Sequence, residues 1–227
     1  MNDAIFQASV WILPVLVAIT FHEAAHGWVA WKLGDDTAFR LGRVSFNPLR
    51  HVDIMGTIVL PAILILARAP FLFGWAKPVP VNFGRLNQPR RDMVYVAAAG
   101  PGINILLAFA AALVYHFVPE QPESLTEIWL ATNVGNFFYL NVVLAIFNLI
   151  PLPPLDGGRI AVGLLPNSLA IPLARMERYG FMILILLLLI LPMIGERIGM
   201  DLDLFAAVIT PIRDWVIHGI LVLTGNG

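Results

Sequence analysis

The sequence predicts an all-α, polytopic membrane protein, a helical bundle of about five to six apolar segments with a small extended or re-entrant hairpin region. Of the 227 residues, 59% are apolar and only 13% are charged, and the mean hydropathy is +0.80. The apolar residues gather in runs long enough to cross a bilayer, which takes about 20 residues each. The polar stretches between the runs are short, so we expect a single membrane-embedded domain over residues 1–227.

The same composition excludes several classes of protein. So few charged residues cannot cover the surface of a soluble enzyme, and a chain this apolar is not disordered. A formal net charge of −1 provides no basic field for nucleic acid. The chain has no cysteine, which rules out disulfides, thiolate catalysis and cysteine-ligated metals. We therefore expect the lipid bilayer as the surroundings and no nucleic-acid partner.

The apolar runs predict the helices in order along the chain. The first continues to position 31, with no basic residue before it and no small-residue cleavage site after it, so we expect a retained helix rather than a signal peptide. The second is interrupted by Pro61, Arg68 and Pro70. Alternating Val and Pro in residues 77–82 cannot form a helix and predict an extended, edge-type strand. The runs are residues 4–21, 54–73, 93–118, 132–150, 179–194 and 204–223, with a core over 4–160 and additional C-terminal helices over 179–224.

The strongest chemical signal is the motif His22-Glu23-Ala24-Ala25-His26 in the first run. Residues i and i+4 of a helix lie one turn apart on the same face, so the two imidazoles can bind one Zn²⁺. The carboxylate of Glu23 can accept a proton from the attacking water. The alternative is a helix end at which these side chains meet the membrane interface, but an interface does not require this spacing. The motif therefore indicates a catalytic zinc site.

A catalytic zinc site needs a third protein ligand and one open position. His51, His116, His218 and the carboxylates are candidates. Asp156 stands out because prolines end the fourth run and two glycines follow, which presents a carboxylate on irregular backbone at membrane depth. The alternative for Asp156 is an ordinary Asp-Gly turn at a helix end.

Together these residues resemble the site-2 protease family of intramembrane zinc metalloproteases. The resemblance rests on the His22–His26 motif in one membrane helix, on Leu155-Asp156-Gly157 at the end of a later one, and on the small, Pro-containing segment Ala99-Gly100-Pro101-Gly102-Ile103-Asn104. It implies that His22, His26 and Asp156 bind one Zn²⁺ per chain and that Glu23 is the catalytic base or acid. It also implies peptide-bond hydrolysis within or near the transmembrane segments of a membrane protein substrate, by a compact form without PDZ or CBS modules.

Negative charge that develops during hydrolysis needs a donor besides the metal. Asn104 and Asn148 are candidates for this role or for substrate binding, because amide N–H groups are effective donors in a low-dielectric site. The alternative is hydrogen bonding between helices, which we expect for the other asparagines of the fourth run. Residues 77–82 are a candidate for pairing with an unwound substrate strand, or else form a plain structural hairpin.

One geometric constraint predicts the topology. If His22, His26 and Asp156 share a metal, they lie at one depth, so the first and fourth runs cross the membrane in the same direction. One of the two runs between them then cannot cross fully, and we expect the interrupted run 54–73 to be re-entrant or interfacial. All lysines and arginines from 32 to 178 then lie on one side. The positive-inside rule places this side, and the active site, toward the cytoplasm of a cell (inner) membrane.

The second function class is a non-proteolytic membrane protein, such as a metal-binding transporter or a scaffold on the same fold. Transporters are typically built from repeats, and the sequence contains no repeat. A catalytically dead relative is expected to lack Glu23 or a ligand, and all are present. Cleavage of a membrane-embedded reporter separates the two classes, since transport without proteolysis would favour the second.

The topology predicts that residues 77–82 and the acidic loop around Glu123 lie on opposite sides of the membrane. The chain has no native cysteine, so single cysteine substitutions at positions 40, 85 and 123 report accessibility without background. In intact cells, an impermeant thiol reagent is expected to label position 123 and to spare the other two. Labelling of 40 and 85 alone would invert the orientation, and labelling of 40 and 123 alone would make residues 54–73 a full crossing.

Overall fold

The computed structural model describes residues 3–59, 63, 74 and 76–227. Regular secondary structure in these ranges is entirely helical, as the sequence predicts, and five of the helices are long and apolar enough to cross a membrane: α1, α3, α4, α7 and α8. The helices are α1 (Asp3–Lys32), α2 (Thr37–Arg40), α3 (Pro89–Tyr115), α4 (Leu125–Asn148), α5 (Asp156–Leu164), α6 (Asn167–Arg175), α7 (Glu177–Ile198) and α8 (Leu204–Thr224). Short 3₁₀ turns occur at Pro48–Arg50 and Phe83–Arg85, and π-helical segments at Ile54–Val59 and, within α7, at Leu186–Ile190.

The hairpin region is described only in part. Ile54–Val59 forms the short π-helical segment, but the predicted re-entrant course of residues 54–73 lies mostly outside the described residues. The predicted edge strand at residues 77–82 does not form, because this stretch has no regular secondary structure. Its backbone N–H groups bond instead to Glu23 on α1 and to Asp35 and His51 in the loop after α1.

Helix α1 contains a proline, and a neighbouring helix supplies the hydrogen bond that the proline removes. Pro14 has no N–H, so the carbonyl of Val10, one turn earlier, loses its partner within α1. The side-chain amide of Asn136 on α4 donates to that carbonyl at 3.0 Å. A freed backbone group at membrane depth has to find such a partner, so this bond allows α1 to continue as one helix through Pro14. It is also the interhelical role that the sequence predicts for Asn136.

Helix α4 begins earlier than its apolar run suggests. The apolar run starts at residue 132, whereas the helix begins at Leu125 and includes Glu127. The reason is a capping box: the hydroxyl of Ser124 accepts from the N–H of Glu127, and the carboxylate of Glu127 accepts from the N–H of Ser124. Capping depends on polar residues, so hydropathy does not detect it.

The bundle is built on α1, α3 and α4, with α5 against α3 and α8 against α3 and α4. Its buried side chains on α3 are mostly small, which allows neighbouring helices to approach closely. One core cluster lies between α3, α4 and α8 and comprises Ala108, Ala112, Val142, Ile146, Ile209 and Ile220. The close packing of α1, α4 and α5 around α3 brings side chains from different helices into contact in the interior of the bundle.

Two contacts locate the ends of α8 against the other helices. The ring of Phe205, at the start of α8, lies 5.7 Å from that of Phe147 at the end of α4. The last residue of α8, Thr224, accepts through its carbonyl from the imidazole of His116 at 2.6 Å, beside the end of α3. Helix α8 therefore begins near the end of α4 and ends beside the end of α3.

Candidate metal centre

Three predicted side chains meet in the interior of the bundle. Nε2 of His22 lies 3.0 Å from Nε2 of His26, and Oδ2 of Asp156 lies 3.2 Å and 3.3 Å from these two atoms. The three residues are 7–9% exposed. Among the described residues, they form a group of ligand atoms close enough to hold one metal ion.

Two local features of the sequence position these atoms. His22 and His26 project from consecutive turns of α1. Asp156 is the first residue of α5, and the turn from α4 folds back so tightly that a Cβ on Gly157 would lie 2.1 Å from the carbonyl oxygen of Leu149. A Cβ on Gly158 would lie 2.2 Å from the backbone nitrogen of Pro153. The prolines end α4 and the glycines permit the fold-back, as the sequence predicts.

The hydrogen bonds of the two imidazoles fix which nitrogen carries the proton. Nδ1 of His26 lies 2.7 Å from the carbonyl oxygen of Val96, which only accepts, so this nitrogen donates. Nδ1 of His22 lies 2.6 Å from Oδ1 of Asn104 and donates likewise. In the neutral rings both Nε2 atoms then direct lone pairs toward Oδ2 of Asp156, a buried oxygen that has no hydrogen-bond donor among the residues that the structure describes.

Three converging lone pairs repel one another unless a cation lies between them. Ligand atoms placed tetrahedrally at about 2.0–2.1 Å from Zn²⁺ lie about 3.3 Å apart, and the observed separations are 3.0–3.3 Å. Two neutral imidazoles and one carboxylate also match the His and carboxylate donors of catalytic zinc sites. The residues present therefore fit one Zn²⁺ with a position left open.

Space for an ion depends on a glycine of α3. A Cβ on Gly100 would lie 2.4 Å from Nε2 of His26 and 2.6 Å from Nε2 of His22. No side chain larger than hydrogen fits there while the imidazoles keep their positions. Gly102, two residues later, is exposed, and a Cβ built on it would meet no atom of the described residues within 4 Å.

Glu23 lies beside the three-residue group without belonging to it. Its carboxylate accepts from the backbone N–H of Val79 at 2.6 Å. The neighbouring residues Pro78 and Pro80 carry no N–H, so Val79 is the one donor in this tripeptide. Val79 is itself buried against α1, where a Cβ on Gly27 would lie 3.0 Å from its side chain.

The irregular stretch 77–82 is tied to α1 and to the loop after it. The N–H of Lys77 donates to the carbonyl of His51 at 2.9 Å, and the N–H of Asn82 donates to Asp35 at 2.6 Å. The guanidinium of Arg43 donates to the carbonyl of Lys77 at 2.7 Å. With these donors engaged and two prolines present, the stretch offers few N–H groups to a substrate strand, so the geometry favours a structural role over strand addition.

The remaining candidate residues do not belong to the three-residue group. Asn104 contacts His22 on the nitrogen that faces away from the metal position, and its own amide N–H groups are directed at other acceptors. Asn148, half-buried at the end of α4, donates to Leu144 one turn earlier. His51 contacts the carbonyl of Ser45 and His116 contacts Thr224. Neither of these histidines, nor His218, belongs to the metal-binding group.

Sequence reasoning missed the partners that hold the site. The carbonyl of Val96 and the N–H of Val79 are backbone groups, so no residue type marks them. Asn141 contacts Asn104 between α4 and α3 at 2.7 Å, which agrees with the predicted interhelical role, but only the structure shows that this contact leads to His22. Asn133 differs, because its amide donates to Trp129 within α4.

The chain is similar to a peptidase family and to several proteins named as zinc metalloproteases. Residues 120–191 match the family model Peptidase family M50. The chain is 37% identical over 212 residues to "Putative zinc metalloprotease YwhC" of Bacillus subtilis, covering 88% of this chain and 93% of that protein. It is 26% identical over 175 residues to "Putative zinc metalloprotease Rip2" of Mycolicibacterium smegmatis (77% and 64%), and 28% identical over 142 residues to the protein of the same name from Mycobacterium tuberculosis (63% and 52%). No solved structure matches the chain.

Substituting Gly100 by Ala is expected to displace the imidazoles and weaken zinc binding. Overpacking of this kind costs about 1–3 kcal/mol, which corresponds to a loss of affinity of about fivefold to 150-fold. Gly102→Ala is the matched control, because a Cβ there meets no atom within 4 Å. Competition with a zinc chelator measures both variants, and equal affinity in the two would contradict the close approach of α3 to the metal.

Proposed function

Because the chain belongs to peptidase family M50, the site-2 protease family, and is a zinc metalloprotease, we propose that it hydrolyses peptide bonds within or near transmembrane segments of other membrane proteins. The observation that carries this proposal is the convergence of His22 and His26, on a helix of membrane-spanning length, with Asp156, which follows another such helix, next to a carboxylate that is not one of the three. A metal held only for stability needs neither an open position nor an adjacent base.

In this proposal each group has one task. His22, His26 and Asp156 would hold one Zn²⁺. When bound, this ion would polarise the scissile carbonyl and lower the pKa of the attacking water to about 7. Glu23 takes the proton from the attacking water and passes it to the leaving amine. The N–H of Val79 holds one oxygen of Glu23 at 2.6 Å and so fixes the direction of the other.

The proposed donor to the developing negative charge is Asn148. The amide of Asn104 is already engaged by Asn141 at 2.7 Å, in a position where it also contacts His22 from the side away from the metal. Asn148 is half-buried, and among the described residues its amide donates to Leu144 within α4, a bond that a substrate can replace. A buried amide donor contributes most when water is excluded.

Substrate and location follow from the environment of the site. The metal-binding residues lie in or directly after helices long and apolar enough to span a membrane, so a substrate reaches them from the bilayer and has to unwind locally before its peptide group is accessible. The one-sided lysines and arginines support a cell (inner) membrane location, with the site toward the cytoplasm.

The test separates loss of chemistry from loss of metal. Glu23→Gln is expected to lower cleavage of a membrane-embedded reporter by about 10²–10⁴-fold, the usual contribution of general acid–base catalysis, while zinc remains near one per chain. Asp156→Ala is expected to lower zinc content and cleavage together. Asp156→Asn keeps the turn, but its neutral amide binds zinc more weakly than a carboxylate does.

The controls are His51→Ala, His116→Ala and His218→Ala, all expected to retain zinc. Normal cleavage in Glu23→Gln would refute the assignment of the base, and loss of zinc in that variant would make Glu23 a ligand. Normal zinc content and cleavage in Asp156→Ala would remove the three-residue metal centre.

Val79→Pro is expected to lower kcat by about tenfold or more without lowering zinc content, because it removes the N–H that orients Glu23; a hydrogen bond to a charged group contributes about 1.5–3 kcal/mol. Val79→Ala retains the N–H and is the matched control. Steady-state cleavage assays with zinc analysis check this, and equal kcat in the two variants would show that the contact has no role in turnover.

A further inference from the structure

Two asparagines in the centre of the bundle have no exposed surface. Asn104 on α3 and Asn141 on α4 are both 0% exposed. Polar side chains at membrane depth are costly unless their hydrogen bonds are satisfied, and such residues often serve a function. These two contact each other, and Asn104 also contacts His22.

Asn141, Asn104 and His22 are linked by consecutive hydrogen bonds, and the bond from Asn141 to Phe137 fixes which atom is the donor in each of the others. The amide nitrogen of Asn141 lies 2.8 Å from the carbonyl oxygen of Phe137, which only accepts. Nδ2 of Asn141 must therefore face Phe137, and Oδ1 must face Asn104. Asn104 then directs its Nδ2 at that oxygen, at 2.7 Å, and its own Oδ1 at Nδ1 of His22, at 2.6 Å.

A second acceptor supports the same orientation of Asn104. Its Nδ2 also lies 3.5 Å from the carbonyl oxygen of Ala18, one turn before His22 on α1. If the amide of Asn104 rotated by 180°, its oxygen would face two acceptors, and its nitrogen would face the proton of His22. Asn141 and Ala18 together exclude that rotamer.

The two zinc-binding histidines are therefore held in different ways. Nδ1 of His26 donates to the backbone carbonyl of Val96 at 2.7 Å, and a backbone carbonyl has no alternative orientation. Nδ1 of His22 donates to a side-chain amide, which has two orientations of similar shape. Only the correct one leaves the lone pair of Nε2 directed at Asp156.

We propose that Asn141 and Asn104 form a two-amide relay that fixes His22 in its Nδ1–H tautomer, and that Asn141 is a positioning residue for the metal. The relay rests on the metal centre of the proposed function. Asn141 acts through Asn104 and His22, and its contribution is a single tautomer and ring orientation in the protein before the metal binds. Partners of this kind change metal affinity by about 10–100-fold.

The first test compares two leucine substitutions on α4. Asn141→Leu is expected to lower zinc affinity by about 10–100-fold in competition with a chelator. Asn136→Leu is the matched control, because Asn136 also bonds to α1, at Val10, but away from the metal. It is expected to lower thermal stability without changing zinc affinity.

Asn141→Ser is a second variant that tests the same bond if Asn141→Leu does not fold. Its short hydroxyl can bond back to Phe137 within α4 but does not reach Asn104, so the same loss of zinc affinity is expected without a larger apolar side chain. Nitrogen-15 chemical shifts of the histidines in the metal-free full chain give a direct readout. His22 is expected to become a mixture of tautomers in both Asn141 variants, while His26, held by Val96, stays unchanged as an internal reference.

A rescue experiment distinguishes the relay from ordinary packing. Both oxygens of a carboxylate accept, so the substitution Asn104→Asp presents an acceptor to Nδ1 of His22 in either rotamer without help from Asn141, although its second oxygen then faces the carbonyl of Ala18. The double variant Asn104→Asp/Asn141→Leu is expected to regain zinc affinity relative to Asn141→Leu alone.

Two results would overturn the proposal in distinguishable ways. Unchanged zinc affinity and an unchanged His22 tautomer in the Asn141 variants, with one zinc per chain in the parent protein, would remove the relay and leave the proposed function intact. A parent protein that binds no zinc would remove the metal centre and the relay with it. Loss of affinity in Asn136→Leu equal to that in Asn141→Leu would reduce the effect to helix packing.

Discussion

Two imidazole nitrogens and one carboxylate oxygen face one another at 3.0–3.3 Å in the interior of the bundle, while the Nδ1–H groups of both imidazoles are bonded elsewhere. This arrangement is unfavourable by itself, because buried acceptors without donors lose their interaction with water and gain nothing in return. A divalent cation reverses the sign of the interaction. In the proposed metal centre, the packing of α1, α3, α4 and α5 around this point holds the three side chains ready for that ion.

Helix α3 contributes more to the centre than its lack of ligands suggests. Gly100 leaves space beside the two imidazoles, the carbonyl of Val96 receives the proton of His26, and Asn104 receives that of His22. The small residues of α3 permit the close approach, and its polar groups set the protonation of the ligands. A helix that supplies no metal ligand thus determines which nitrogens are available to the metal.

The proposed catalytic carboxylate is held from the opposite direction. Glu23 follows His22 in the sequence, but its partner is the N–H of Val79, in an irregular stretch. That stretch is anchored by Arg43 and by Asp35. Irregular backbone is tolerated near a membrane interior only where the protein satisfies its polar groups, and here the same bonds that satisfy it also orient Glu23.

The sequence alone determined the membrane fold class, the helical spacing of His22 and His26, and the choice of Asp156 after a proline-ended helix, because each depends on a local pattern of residue types. It did not determine how α8 packs against α3 and α4, or which groups bond to the imidazoles. Those depend on contacts between segments distant in the chain, such as Asn104 with Asn141, and on backbone groups that every residue carries. A pattern of side chains shows which atoms are able to bind a metal, whereas only the packed structure decides which lone pairs point toward it.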